Sequence, residues 1–368
     1  MKRFTIVVIS LILIISSSAY VFAGGGRQQP RADGLIPVKT SGQNVVQTAV
    51  PLVAGEAMGT WERLGLYVTR THYISGPPQL EAHPSGDWEI GWIGATAAIT
   101  GMLRFDMVNV FLSGFDFSNM AFARADSPIV AAGDRGVPGT LGTAAEWRGR
   151  TILVPFGTVT FANAMIALAG LGLTPADVNL VNMDPSPGLQ AFLGGQGDIY
   201  FGSSTFASTL AARPGFVVVN TMQGMDAGMA GNIIVGRDYL ATNEDTMVTY
   251  LEGALELMFW LGNPANINQT AEWFITVMRE EFGIAMTHEE AVTNIRQIGF
   301  RDIAFYEYLV ARGSDGLTGL QREFRKFFEY HVIAGIQVAE NWNLIRDSID
   351  ARFLERALAN YKAKHNIR

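Results

Sequence analysis

Residues 150–173 read RTILVPFGTVTFANAMIALAGLGL. A short apolar strand ends at Pro155, a polar elbow follows at Phe156-Gly157-Thr158-Val159-Thr160, and a helix of small residues closes at Leu171-Gly172-Leu173. Strand, polar turn and helix in that order form the repeating unit of an α/β fold. The elbow lies where the first N–H groups of a helix lack partners inside it. The helix dipole there favours a negative charge or a strong acceptor. Gly157 lets a ligand approach the backbone, Thr158 and Thr160 offer hydroxyl donors, and Phe156 offers a face for stacking. The same residues also suit ordinary capping by Thr158, with Phe156 and Phe161 in the core.

The unit recurs along the chain. A strand begins at Ile36 and runs into the polar turn Thr40-Ser41-Gly42-Gln43-Asn44. The spacing then predicts a helix over 45–64, with Gly65 as its left-handed terminator. A strand over 66–74 ends in Ser75-Gly76-Pro77-Pro78. WERLGLYV (61–68) parallels LAGLGL (168–173). SGDWEIGWIGATAAITGML (85–103) parallels GQGDIYFGSSTFASTL (195–210), each with Gly-Asp, a strand, small hydroxyl residues and a helix. Two α/β lobes built on one plan follow. Alternating strands and helices predict parallel-rich sheets with helices on both faces, which bind ligands outside the carboxyl ends of their strands. The elbows Gln43-Asn44, Ser75-Gly76, Gly94-Ala95-Thr96, Phe156 to Thr160 and Ser203-Ser204-Thr205 all fall at such ends. From about Asn243 strand signals vanish and helical spacing takes over, with a capping box at Thr287 and Glu290. This tail is expected to buttress the first lobe.

The chain has 368 residues, too many for one compact core. It is 48% hydrophobic and 17% charged, a globular balance. Lys2 and Arg3, an apolar run over 6–15 and small residues up to Ala23 read as a secretory signal peptide cleaved after Ala23. The other reading is an uncleaved anchor, but the run is about half the roughly 20 residues a spanning helix needs. Residues 24–35 (GGGRQQPRADGL) read as a flexible leader.

Losing two of the 27 basic residues with the signal leaves 25 against 34 acidic, a net charge of −9. That argues against nucleic acid as a partner. The absence of cysteine excludes disulfides, thiolate metal sites, a cysteine nucleophile and a lipid anchor on an N-terminal cysteine. No Gly-x-Gly-x-x-Gly opens a helix after a strand, and no Gly-Lys-Ser/Thr is present, so nucleotide binding is not expected. His72, His83, His288, His331 and His365 have no partners at metal-ligand spacing. No Gly-x-Ser-x-Gly elbow exists. Neither a catalytic residue, a metal nor a cofactor is therefore expected. Asp116, Asp184 and Asp226 fall near strand ends or crossovers, where a carboxylate meets a ligand amine or caps a turn. Trp88, Trp92, Phe115 and Phe117 line a cleft or fill the core.

Together these segments resemble the periplasmic substrate-binding proteins of ABC importers, in the nitrate/sulfonate/taurine branch that includes binding proteins for thiamine-pyrimidine precursors. The resemblance rests on WERLGLYV, Ser75-Gly76, GDWEIGWIG, WRGRTILVPFGT, GLTPADVNLVNM and LGGQGDIY, in that order over roughly residues 36–240. It implies the two-lobe, type II binding-protein fold, with lobe 1 at 36–116 plus 226–368 and lobe 2 at 117–225. Hinges would lie at Phe115 to Ser118 and Thr221 to Asp226. Carried over, the ligand contacts are Gln43, Asn44, Ser75, Gly76, Gly94, Ala95, Thr96, Phe156, Gly157, Thr158, Thr160, Ser203, Ser204 and Thr205. The expected function is capture of a sulfonate-, amino-acid- or pyrimidine-like solute by a monomer in the periplasm, for delivery to a membrane ABC permease. A same-fold enzyme or a ligand-sensing subunit is the alternative. Two departures from the branch argue against a small inorganic anion. Val159 to Ala162 holds no basic residue, and Ser203-Ser204-Thr205 replaces an aromatic-Glu-Pro element.

Overall fold

The computed structural model describes residues 31–211 and 213–367. The signal-peptide reading and its cleavage after Ala23 lie outside the described residues. The chain builds two sheets in three passes. The first lays down β1 (Ile36–Gln43), β2 (Leu66–Tyr73), β3 (Ile90–Gly94) and β4 (Met107–Asp116). The second, entered through residues 117–119, builds β5 (Met120–Arg124), β6 (Asp134–Val137), β7 (Thr140–Leu141), β8 (Thr151–Val154), β9 (Asn179–Asn182), β10 (Ile199–Gly202) and β11 (Phe216–Thr221). The third returns through residues 222–228 with β12 (Met229–Gly236) and β13 (Ile298–Gly299). The strand orders are β13-β4-β12-β3-β1-β2 and β6-β7-β11-β5-β10-β8-β9.

The fold is two-sheeted α/β, but the sheets are mixed rather than parallel-rich. β1 runs parallel to β2 and β3, and β8 runs parallel to β9 and β10. The remaining pairings are antiparallel. The physical reason lies in the two passages between sheets. The chain leaves along β4 into β5 and returns along β11 into β12, so these neighbours meet head to tail and need no helical crossover. All of β4 and β12 is buried, as expected for strands covered on both faces.

The helix predicted over 45–64 is two helices, Val46–Ala57 and Thr60–Arg63. Gly59 sits between them at φ +62, and Gly65 closes the second at φ +81. The left-handed turn at Gly59 breaks the ladder at little cost because no Cβ opposes it. Pro51 lies inside the first helix and cannot donate to the Gln47 carbonyl. The Ser113 hydroxyl donates to that carbonyl instead, at 3.2 Å, and ties the helix to β4. The end of the predicted flexible leader is also ordered. Arg31 N–H donates to Leu35 O, and the Arg31 guanidinium lies 3.6 Å from the centre of the Tyr67 ring.

The tail is helical, and Thr287 and Glu290 form the predicted capping box. It does more than buttress the first sheet. Leu320, Phe324, Phe327 and Phe328 of the helix Gly319–Ile333 enter the first sheet's core. Ala334, just beyond that helix, enters the second sheet's core. The Tyr330 hydroxyl donates to Asp226 O, at 3.2 Å, in the return passage. No helix among the described residues is long and apolar enough to cross a membrane.

Candidate functional site

The carboxyl ends of β1 and β3 face those of β8 and β10, and a cavity of about 60 Å³ lies between them. On the first sheet the rim is locked by amides. Gln43 Nε2 donates to Gln79 Oε1 at 3.0 Å, and Gln43 Oε1 accepts from Gly94 N–H at 3.3 Å. Gln79 Nε2 passes the chain on to Ser41 Oγ at 2.8 Å. Gln43 is thereby committed to its own sheet although it lines the cavity.

Ser75 holds the N-cap position of the helix Gly76–Ala82 without a side-chain capping bond, and both Ser75 and Gly76 line the cavity. A Cβ on Gly76 would stand 2.3 Å from Ala97 Cβ. Gly76→Ala is therefore expected to cost about 1–3 kcal/mol through overpacking. Urea denaturation reads this directly, and an unchanged midpoint would show that the two helices have room to part.

On the second sheet, Thr158 caps the helix Val159–Gly170. Its hydroxyl accepts from Phe161 N–H at 3.2 Å and donates to Pro155 O at 2.6 Å, so its one proton is spent locally although Thr158 lines the cavity. Thr160 donates to Asn119 Oδ1 at 2.6 Å. The two sides touch. A Cβ on Gly157, which sits at φ +72, would lie 3.1 Å from Pro77 Cγ, and one on Gly94 would lie 3.0 Å from Val159 Cγ2. The Thr205 hydroxyl donates across the gap to Asn44 O at 2.9 Å. Ser203 lines the cavity, and Ser204 opens the helix Ser204–Ala211.

Several predicted contacts do not face this cavity. Phe156 is 39% exposed and packs on Phe161 at 4.7 Å between ring centres, because Phe161 N–H is held by the Thr158 cap beside it. Ala95 is buried in the first core. Thr96 donates to His331 Nε2 at 2.8 Å and so belongs to the packing of the tail helix. Gly157 meets Pro77 rather than the cavity, and Thr205 serves Asn44. Trp88, Trp92 and Phe115 are core residues, and Phe117 packs against that core. Asp184 precedes the helix Pro185–Leu193 without a capping bond. Among the described residues no group of three His, Cys, Asp or Glu could hold a metal ion.

The wall also holds residues the motifs did not place there, above all Gln47, Asp116 and Asn119. Asp116 ends β4 and is 2% exposed. It accepts from Ser118 N–H at 2.7 Å, from the Ser118 hydroxyl, and from Gln47 Nε2 at 3.1 Å. Burial raises its carboxyl above the ordinary carboxylate range, against the lowering pull of those bonds. Among the described residues, two buried polar atoms of the wall residues lack partners, Asn44 Nδ2 and Gln47 Oε1. A sequence signal existed for Asp116, which stands at a crossover. Gln47 had none, because its inward face depends on how the helix Val46–Ala57 is rotated.

Several solved structures share this fold. The periplasmic nitrate-binding protein NrtA of Synechocystis PCC 6803 superposes with a TM-score of 0.66 at 12% identity, covering 91% of each chain. The alkanesulfonate-binding protein SsuA of Xanthomonas axonopodis pv. citri, solved bound to MOPS, gives 0.62 at 15% identity, covering 82% of this chain and 93% of that one. The chain has the periplasmic binding protein fold. In sequence it is similar to a Brachyspira hyodysenteriae protein named as an ABC transporter periplasmic binding protein, at 27% identity over 198 residues. That stretch is 53% of this chain and 57% of the relative, so the chain spans little more than half of the protein it matches. No protein-family model matches the chain. The expected two-lobe binding-protein fold is thus the fold these structures share.

Proposed function

We propose that the protein is an extracytoplasmic solute receptor. Its two lobes close on a small organic molecule, and the closed form delivers it to an ABC permease in the membrane. The lobes would divide as 36–116 plus 226–368 against 117–225, with Phe115 to Ser118 and Thr221 to Asp226 as the hinges. No catalytic step is needed. The observation that carries the reading is the cavity itself, whose wall is drawn from strand ends of both sheets. The Thr205-to-Asn44 hydrogen bond across the gap supports closure as a defined state.

Native mass spectrometry of the protein, before and after unfolding and refolding without solutes, tests the reading. The expected result is a bound small-molecule mass that disappears on refolding and returns when the refolded protein is incubated with a metabolite extract. A protein that takes up no mass from that extract would overturn it.

A further inference from the structure

We propose that the cleft selects a solute with a cationic nitrogen head group, an ammonium or a protonated amino-heterocycle, which donates to Asp116 and Gln47. The inference rests on the solute-receptor reading of the same cavity and names its ligand class.

Asp116 is the one charged side chain on the cavity wall among the described residues. Its hydrogen-bond partners are the neutral groups of Ser118, Gln47 and, at 3.5 Å, Asn119. A buried carboxylate held only by neutral donors is left short of compensating charge, and a ligand cation supplies it. An anion in the same space would meet the Asp116 carboxyl and find no lysine, arginine or histidine among the described residues of the wall.

The unpartnered atoms define the rest of the head group. Gln47 is 5% exposed and donates to Asp116 through Nε2, while its Oε1 waits for a donor. A nitrogen carrying two or more protons fits Oε1 and the carboxylate together. Asn44 is 3% exposed and its Nδ2 waits for an acceptor, so the solute also carries an oxygen or ring nitrogen. The cavity of about 60 Å³ limits the enclosed portion to a few heavy atoms.

Ligand-observed NMR titration of the refolded protein tests this with ethanolamine, ethanesulfonate and nitrate as probes. The expected result is at least a tenfold preference for ethanolamine over both anions, reduced to less than threefold in Asp116→Asn. The wild-type comparison needs no variant to fold, and circular dichroism checks that the variant does. Tighter binding of either anion by the wild type overturns the proposal, as does unchanged ethanolamine affinity in a folded Asp116→Asn. Silence from all three probes also overturns it. Uptake of a mass from the metabolite extract in that case would leave the receptor reading standing without this selectivity.

Discussion

Trp61→Ala is expected to destabilise the protein by about 3–5 kcal/mol, the usual range for emptying a large buried aromatic site. Trp61 is 1% exposed and stacks on Tyr250, with ring centres 4.8 Å apart and planes 7° from parallel. Two helices offer glycine to make room for it. A Cβ on Gly55 would lie 2.3 Å from Trp61 Nε1, and one on Gly253 would lie 2.6 Å from Trp61 Cζ3. A space shaped by missing side chains on both sides cannot collapse when the indole is removed. The loss would reach the first sheet, because the Tyr250 hydroxyl bonds Thr40 of β1 at 2.9 Å and accepts from Trp92 Nε1 at 2.7 Å. Trp61 Nε1 itself is buried without a partner. Trp61→Phe, which drops that N–H and keeps a ring, should therefore cost less than Trp61→Ala, since it leaves a smaller void. Urea denaturation of the pair decides the point. Equal costs would mean that ring packing is not what holds this corner.

Stability should also fall as the pH is lowered from about 6.5 towards 4, and His331 is the reason. This histidine is fully buried, and burial lowers its pKa to about 4. Its neutral form is held at both nitrogens. Nδ1–H donates to Phe327 O at 2.6 Å, and Nε2 accepts from the Thr96 hydroxyl. The unfolded chain binds a proton near the ordinary histidine value while the folded chain refuses it until near pH 4. Each step down in pH across that window therefore favours unfolding, and below it the effect levels off. The total is on the order of 3 kcal/mol for a shift of this size. Asp116 works with the opposite sign, since its raised carboxyl takes up a proton in the folded state before the unfolded one does. His331→Gln separates the two. Its denaturation midpoint should lose most of the fall between pH 6.5 and 4 that the parent shows, and an unchanged profile would assign the fall elsewhere.

The elements were legible where local chemistry decides them. Gly65 and Gly172 are left-handed terminators, and Thr287 with Glu290 caps its helix. The strand-to-helix elbows also fall where the sequence predicts, because turn glycines and hydroxyls mark them directly. Sheet direction was less legible. The chain's departure and return set β4 against β12 and β5 against β11, and nothing in a strand's own residues announces its neighbour. The candidate site was half legible for a similar reason. Elbow residues such as Asn44, Ser75, Thr158 and Ser203 reach the cavity wall, but the Thr96 hydroxyl is spent on His331 and the Thr158 proton on Pro155 O. Gln47, by contrast, comes from the second position of a helix whose rotation depends on tertiary packing.

The helix Gly319–Ile333 has a mechanical consequence. Its aromatic face is anchored in one core, and Ala334 at its end is anchored in the other. Besides the two passages, the two halves are thus joined by a stiff strut. A wide swing would pull Ala334 out of its seat and expose apolar surface. If the lobes move as proposed, the soft direction would be a short stroke that pivots about the strut. On the proposed function, such a stroke would admit a solute by its girth before the proposed contact with Asp116 selected it by charge.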